Sequence, residues 1–173
     1  LPESVLQEAD ARTGQGTSVI IVMVDHTVSG LLVFEDTLRD SAPEAIANLN
    51  RAGIRTVIVT GDNRGATLRV AEEIGVSEIY TEMMPEEKVE IVRRLQEEGC
   101  RVAFVGDGVN DGPALATADV GVAMGHAGTD VAIETADVVL LSDELLKLPQ
   151  IIGTSQKALR TIRQNLAFAV GVL

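Results

Sequence analysis

The stretch Val102-Ala103-Phe104-Val105-Gly106-Asp107-Gly108-Val109-Asn110-Asp111-Gly112 decides the reading of this chain. Its first four residues form a short apolar run, the pattern of a strand buried on both faces. Gly106 and Gly108 then permit tight backbone turns. Asp107 and Asp111 put two carboxylates, and Asn110 one amide, into five residues. Hard oxygen donors at a strand end are what Mg²⁺ takes beside a phosphate. Asp, Asn and Gly are also common turn residues. It is the density of carboxylates directly after a strand that favours chemistry over a simple turn.

Working outward, strands and helices alternate. Short apolar runs predict buried strands at Ile54–Thr60, Val120–Met124 and Val138–Leu141. Ser41 and Glu44 are spaced as a capping box ahead of Ala45, Ile46 and Leu49, and Gly53 ends that helix. Asp62 or Asn63 caps a second helix, which carries Leu68, Ala71 and Ile74 and stops at Gly75. Pro85 opens a third and Gly99 closes it. Repeated units of this length predict a parallel α/β sheet wound by right-handed crossovers, with its site at the carboxyl ends of the strands. Upstream, a polar segment, Leu1–Gly16, precedes two apolar runs, Ser18–Val24 and Leu31–Phe34. The six residues between those runs read as the loop of a β-hairpin.

Two further segments carry candidate chemistry. Val59-Thr60-Gly61-Asp62-Asn63 ends one strand and opens a helix. A hydroxyl and free backbone N–H groups at a helix N-terminus bind phosphate oxygens, although Asp62 or Asn63 as a plain cap explains the same residues. Lys88 lies three, four and seven residues before Ile91, Val92 and Leu95, on the inward face of its helix. A lysine there needs an anionic partner, unless its stem carries the charge out to solvent. Hydroxyl, amides, cation and paired carboxylates on successive strand ends suit phosphoryl transfer. Nothing in the chain identifies a nucleophile: Asp36 follows an apolar run but has no phosphate-binding turn beside it. His26 and His126 stand apart and read as solvent-facing loop residues.

Bulk properties agree. The 173 residues are 46% hydrophobic but only 2% aromatic, so the core is aliphatic. A net charge of −12 repels a phosphate backbone and argues against nucleic-acid binding. The single thiol, Cys100, cannot form an internal disulfide, which fits a reducing compartment. It reads as a small apolar residue at the start of a strand. No secretory signal is visible, and an opening Leu-Pro without Met reads as a fragment. Lys157, Arg160 and Arg163 precede the unbroken apolar run Leu166–Leu173, too short to span a bilayer but read as the start of a span. An amphipathic helix packed on the domain is the alternative.

Thr60-Gly61-Asp62-Asn63, Lys88 and Gly106-Asp107-Gly108-Val109-Asn110-Asp111-Gly112-Pro113-Ala114-Leu115 resemble the successive motifs of P-type ATPases, in the haloacid-dehalogenase-like superfamily. Met124-Gly125, Gly128-Thr129-Asp130-Val131-Ala132, Glu134-Thr135-Ala136-Asp137-Val138-Val139-Leu140 and Thr161-Ile162-Arg163-Gln164-Asn165 resemble the heavy-metal subgroup. The resemblance implies an α/β fold: a Rossmann-like parallel sheet with helices on both faces, an N-terminal β-hairpin and a C-terminal helix. It implies that residues 1–35 are the tail of a nucleotide-binding domain, 36–156 a phosphorylation domain, and 157–173 the start of a transmembrane helix. Asp36-Thr37-Leu38-Arg39 resembles the hinge between the first two.

By the same resemblance Asp107 and Asp111 hold Mg²⁺, with Asn110 at the same site. Thr60 and Lys88 stabilise the phosphoryl group, and Gly61 and Asp62 position ATP or the phosphorylated loop. The implied whole is an ATP-driven transporter with an aspartyl-phosphate intermediate and a cytoplasmic catalytic part on a membrane protein. His126 before Ala127-Gly128 leans the cargo towards Zn²⁺, Cd²⁺ or Co²⁺. The family's nucleophile motif, Asp-Lys-Thr-Gly-Thr, does not occur in this sequence, so the chain alone is expected to run no ATPase cycle. A soluble phosphatase of the same superfamily explains the phosphate chemistry but not the basic-then-apolar tail. A non-catalytic binding module explains the missing nucleophile.

Overall fold

The computed structural model describes residues 1–14, 17–34, 37–106, 109–124, 134–142 and 144–171. The chain opens with a helix, α1 (Glu3–Gly14), where the sequence suggested only a polar segment. No α1 residue is fully buried, and Arg12 pairs with Glu8 at 3.0 Å along its surface. With so weak an apolar stripe the helical period was not visible.

The hairpin follows as β1 (Ser18–Val24) and β2 (Thr27–Phe34), antiparallel. Its loop is two residues, not six. Asp25 and His26 take φ of 46° and 63°, the mirror-image turn that matches strand twist. Thr27-Val28-Ser29-Gly30 therefore belongs to β2.

Helix α2 (Ala42–Arg51) begins at Ser41, but the expected capping box does not form. Ser41 is itself helical (φ −83°, ψ −10°), and its side chain caps nothing. A capping hydroxyl needs the extended backbone that Ser41 lacks. Strand β3 (Val57–Val59) and helix α3 (Arg64–Ile74) follow. Gly75, at φ 77°, closes α3 in the left-handed region that glycine tolerates. Strand β4 (Glu78–Tyr80) was not foreseen; it pairs parallel with β3.

Helix α4 (Pro85–Glu97) buries Ile91, Val92 and Leu95, the face expected from their spacing. Strand β5 (Ala103–Gly106), a 3₁₀ turn at Val109–Asp111 and a short helix α5 (Gly112–Thr117) lead to β6 (Val120–Met124). Strand β7 (Val138–Leu140) completes a parallel sheet in the order β5-β6-β7. The last element is α6 (Lys147–Gly171).

Alternation along β6 sorts the core. Ala123 points to one face, where Val92, Phe104, Ala114 and Leu115 form a cluster. Val122 and Met124 point to the other, packing with Leu140 and the half-buried Leu145 and Leu148. Helices therefore cover both faces of this sheet: α4 and α5 on one, the start of α6 on the other. Gly121 permits the tight fit of α5, since a Cβ there would lie 2.6 Å from the Leu115 carbonyl oxygen.

The fold is α/β with parallel sheets, as expected, and the described parallel strands form two hydrogen-bonded groups rather than one sheet. Among the described strands β3 bonds only to β4, and β5 only to β6. A cleft of about 600 Å³ is lined by both Val57 and Val59 of β3 and by Phe104 and Val105 of β5. Ile91, Val92 and Leu95 of α4 line it as well.

Helix α6 is continuous from Lys147, so it runs through residues 156 and 157 without a break. Leu159, Ile162, Leu166, Phe168 and Val170 are all exposed on it. No helix among the described residues is long and apolar enough to cross a membrane.

Candidate active site

Lys88 occupies the first turn of α4, one turn beyond Met84, its N-cap residue. A cation is the wrong sign for the amino end of a helix dipole, so something anionic must hold it. That partner is Asp111: Lys88 Nζ donates to Asp111 Oδ1 at 2.7 Å. Only 13% of the lysine side chain and 14% of the aspartate are exposed. A pair this far out of water survives only because each charge meets the other.

Backbone packing holds Asp111 in place. A Cβ on Gly106 would lie 2.7 Å from Asp111 Oδ2 and 2.8 Å from its Cβ. The aspartate side chain therefore rests against the bare backbone at the carboxyl end of β5. Pro113, two residues on, fits the first turn of α5, where no N–H bond is lost. Asn110 is exposed on the 3₁₀ turn. Asp107 and Gly108 lie outside the described residues.

The second group follows β3. Thr60 Oγ1 donates to Asp62 Oδ2 at 3.0 Å, and Asp62 N donates to Thr60 Oγ1 at 3.1 Å. The hydroxyl and carboxylate thus orient one another at a strand end. Asn63, not Asp62, caps α3: its Oδ1 accepts from Ala66 N at 2.9 Å. Asp62 is thereby left at the mouth of the loop, exposed with Gly61.

The loops after β3 and β4 are stapled together. Met83 N donates to Thr60 O at 3.0 Å, and Glu82 N to Asp62 O at 2.9 Å. Glu82 reaches this geometry at φ 59°, uncommon for a residue with a side chain. Since Met83 precedes the N-cap of α4, these bonds set the Thr60 loop beside the end of α4 that bears Lys88. Sequence reasoning singled out Thr60, Asp62, Lys88 and Asp111 but missed the Glu82-Met83 staple. Its donors are backbone groups and leave no side-chain signal.

Among the described residues no group of three His, Cys, Asp or Glu is disposed to hold a metal ion. Mg²⁺ does not require one, since it binds through one or two carboxylates with phosphate and water completing the shell. Asp111 supplies such a carboxylate from the turn that follows β5, and its donor chemistry fits that ion. His26 is exposed in the hairpin turn; His126 lies outside the described residues.

A family model described as haloacid dehalogenase-like hydrolase matches residues 3–119. The chain belongs to that family. Within it, this haloacid dehalogenase-like chain is 47% identical over 157 residues to the cation-transporting P-type ATPase B of Mycobacterium tuberculosis, covering 91% of this chain and 21% of that protein. It is 43% identical over 159 residues to a cadmium-transporting ATPase of Staphylococcus aureus, covering 91% of this chain and 22% of that one. Among solved structures, a zinc-transporting PIB-type ATPase in the E2.Pi state superposes with a TM-score of 0.82 at 38% identity, over 99% of this chain and 28% of that one. The chain spans about a fifth of the length of the curated relatives it matches.

Proposed function

We propose that this chain is the part of a metal-cation-transporting P-type ATPase that surrounds the phosphoryl group, on the cytoplasmic side of a membrane protein. The observation that carries the reading is the Lys88–Asp111 pair, which is held out of water against Gly106 at the carboxyl end of a parallel strand. In this reading ATP donates the phosphoryl group to an aspartate elsewhere in the protein, forming an aspartyl phosphate and releasing ADP.

The chain's residues divide the work. Asp111, with Asp107, holds Mg²⁺, which when bound offsets the charge of the phosphate oxygens. Asn110 completes that site. An ammonium has three N–H donors. Lys88 spends one on Asp111 and turns the others towards the transferring oxygens, where positive charge lowers the barrier. Thr60 offers its hydroxyl from the neighbouring strand end. Asp62 and Gly61 position the nucleotide or the phosphorylated loop.

The nucleophile's place is the cleft between β3 and β5. Each strand is hydrogen-bonded on one side only among the described strands, and both line the same apolar cleft. An extended segment running parallel to both completes a single sheet, and its carboxyl end emerges beside Lys88 and Asp111. Residues 1–35 are assigned to the nucleotide-binding domain, 36–156 to the phosphorylation domain and 157–173 to the start of a membrane helix. The exposed apolar residues of α6 after Lys157, Arg160 and Arg163 support the last assignment.

The proposed cargo is Zn²⁺, Cd²⁺ or Co²⁺. The cadmium- and zinc-transporting relatives support that choice, and a copper-transporting ATPase of Rhizobium meliloti, 42% identical over 95% of this chain, marks the alternative. The test is ATP hydrolysis by the membrane protein that carries this chain, assayed with each ion in turn. Stimulation by Zn²⁺, Cd²⁺ or Co²⁺ supports the reading. Stimulation by Cu⁺ alone moves the cargo to copper, and no metal response at all overturns the assignment as a pump.

A further inference from the structure

The two halves of the candidate site stand on different hydrogen-bonded groups. Thr60 and Asp62 follow β3, in the β3–β4 pair; Lys88 is on α4, which packs with β5 and β6. Where phosphoryl transfer needs both halves, their separation must be fixed. At the carboxyl end the Met83–Thr60 staple does this. At the amino end, some five residues back along β3, the link is made by side chains.

Arg55, just before β3, is forked. Its Nε and Nη2 donate to the Glu78 carboxylate on β4 at 2.7 and 2.8 Å, and its Nη1 donates to Glu98 at the end of α4 at 3.1 Å. Tyr80 Oη donates to the same Glu78 at 2.8 Å, and Arg94 of α4 lies 4.8 Å over the Tyr80 ring. Glu98 is also the wrong sign for the carboxyl end of a helix dipole. There it meets two cations, Arg55 from the other group at 3.1 Å and Arg94 of its own helix at 4.0 Å. Arg55 also lines the cleft between the groups, so the Arg55–Glu98 bond spans the amino end of that cleft.

We propose that Arg55 is a positioning residue: its fork latches the β3–β4 pair to α4 and so sets the Thr60–Asp62 half of the site against Lys88. Its consequence for activity rests on the function proposed above; the latch itself does not. Glu98→Gln is the sharpest variant, because it removes the charge attraction of the Arg55–Glu98 pair and leaves the Arg55–Glu78 fork and the Arg94–Tyr80 contact intact.

The experiment measures distances between paired spin labels in the membrane protein that carries this chain, with Cys100 and the protein's other cysteines replaced by Ser. Labels at the exposed Glu72 of α3 and Glu90 of α4 read the separation between groups; labels at Glu90 and the exposed Ala116 of α5 read one group internally. With Glu98→Gln the longer-distance population between groups is expected to rise about fivefold, the upper end for an exposed ion pair, with the internal distance unchanged. Arg55→Lys is expected to behave like Glu98→Gln, since one ammonium cannot reproduce the fork. An unchanged distance between groups overturns the latch, and so does equal broadening of both distances, which would mark general loosening. In the proposed transporter the same variant lowers kcat and leaves the KM for ATP in place. A wild-type protein without activity would sink the functional reading while leaving the distance result standing.

Discussion

The ammonium of Lys88 and the carboxylate of Asp111 meet at 2.7 Å across 23 positions of sequence. Each is what the other's setting requires: a cation misplaced at a helix start and an acid shielded from water. Lys88→Ala leaves Asp111 largely desolvated and unpaired, which costs about 1–3 kcal/mol. Urea unfolding of the chain checks this. In the proposed transporter the same change is expected to slow phosphoenzyme formation by about a hundredfold or more, as for loss of one charge-stabilising donor. An unchanged rate would confine Lys88 to a structural role.

Gly106→Ala tests the packing of the same pair from the other side. The new methyl would lie within 3 Å of the Asp111 side chain, so the aspartate must move. Overpacking at such a contact costs about 1–3 kcal/mol. The Asp111 side chain, followed by carboxyl-carbon NMR, is expected to shift. A spectrum identical to wild type would show that the contact relaxes elsewhere.

Asn63 and Asp62 are adjacent but have different tasks. Asn63→Ala removes the cap on α3 and is expected to cost about 1 kcal/mol in stability, with phosphoenzyme formation preserved. Asp62→Ala is expected to do the reverse. Thermal unfolding and phosphoenzyme assays on both variants separate them, and equal effects in both assays would contradict the division.

Acid stability follows from Asp119. The Val102 N–H, then Arg101 and Gln96, hold its carboxylate ionised and lower its pKa from 3.8 to about 2. A depressed folded pKa means stabilisation that is complete above pH 3.8 and fades as pH falls towards 2. Glu78, lowered chiefly by Arg55, contributes in the same direction. Asp119→Asn is expected to flatten the loss of stability through that window, measured by urea midpoints. An unchanged slope would assign the acid sensitivity to other carboxylates.

Much of this was legible in the sequence, for identifiable reasons. The Ile91, Val92 and Leu95 spacing fixed the buried face of α4 and so pointed Lys88 inward. Pro85, Gly75 and Gly99 punctuated the helices because their backbone limits are intrinsic. The apolar runs around Phe104 and Val122 marked β5 and β6. What escaped depends on tertiary context. Glu78-Ile79-Tyr80 is too short and too polar to announce a strand, and it forms because β3 lies beside it. Asp25-His26 lacks the glycine that usually marks a mirror-image turn. Ser41 has the right spacing for a capping box but the wrong backbone angles. The identity of Lys88's partner required the fold, since spacing shows which way a side chain faces but not what it meets.

The central claim is that Asp111 and Lys88 stand at a Mg²⁺-dependent phosphoryl site. The most direct measurement is acid-stable labelling of the membrane protein that carries this chain by γ-³²P-ATP, with and without Mg²⁺, in wild type and Asp111→Asn. The account predicts Mg²⁺-dependent label in wild type and at least a tenfold loss in the variant, from removal of a charged ligand. Full labelling of Asp111→Asn, or wild-type protein that takes no label under any condition, would contradict it.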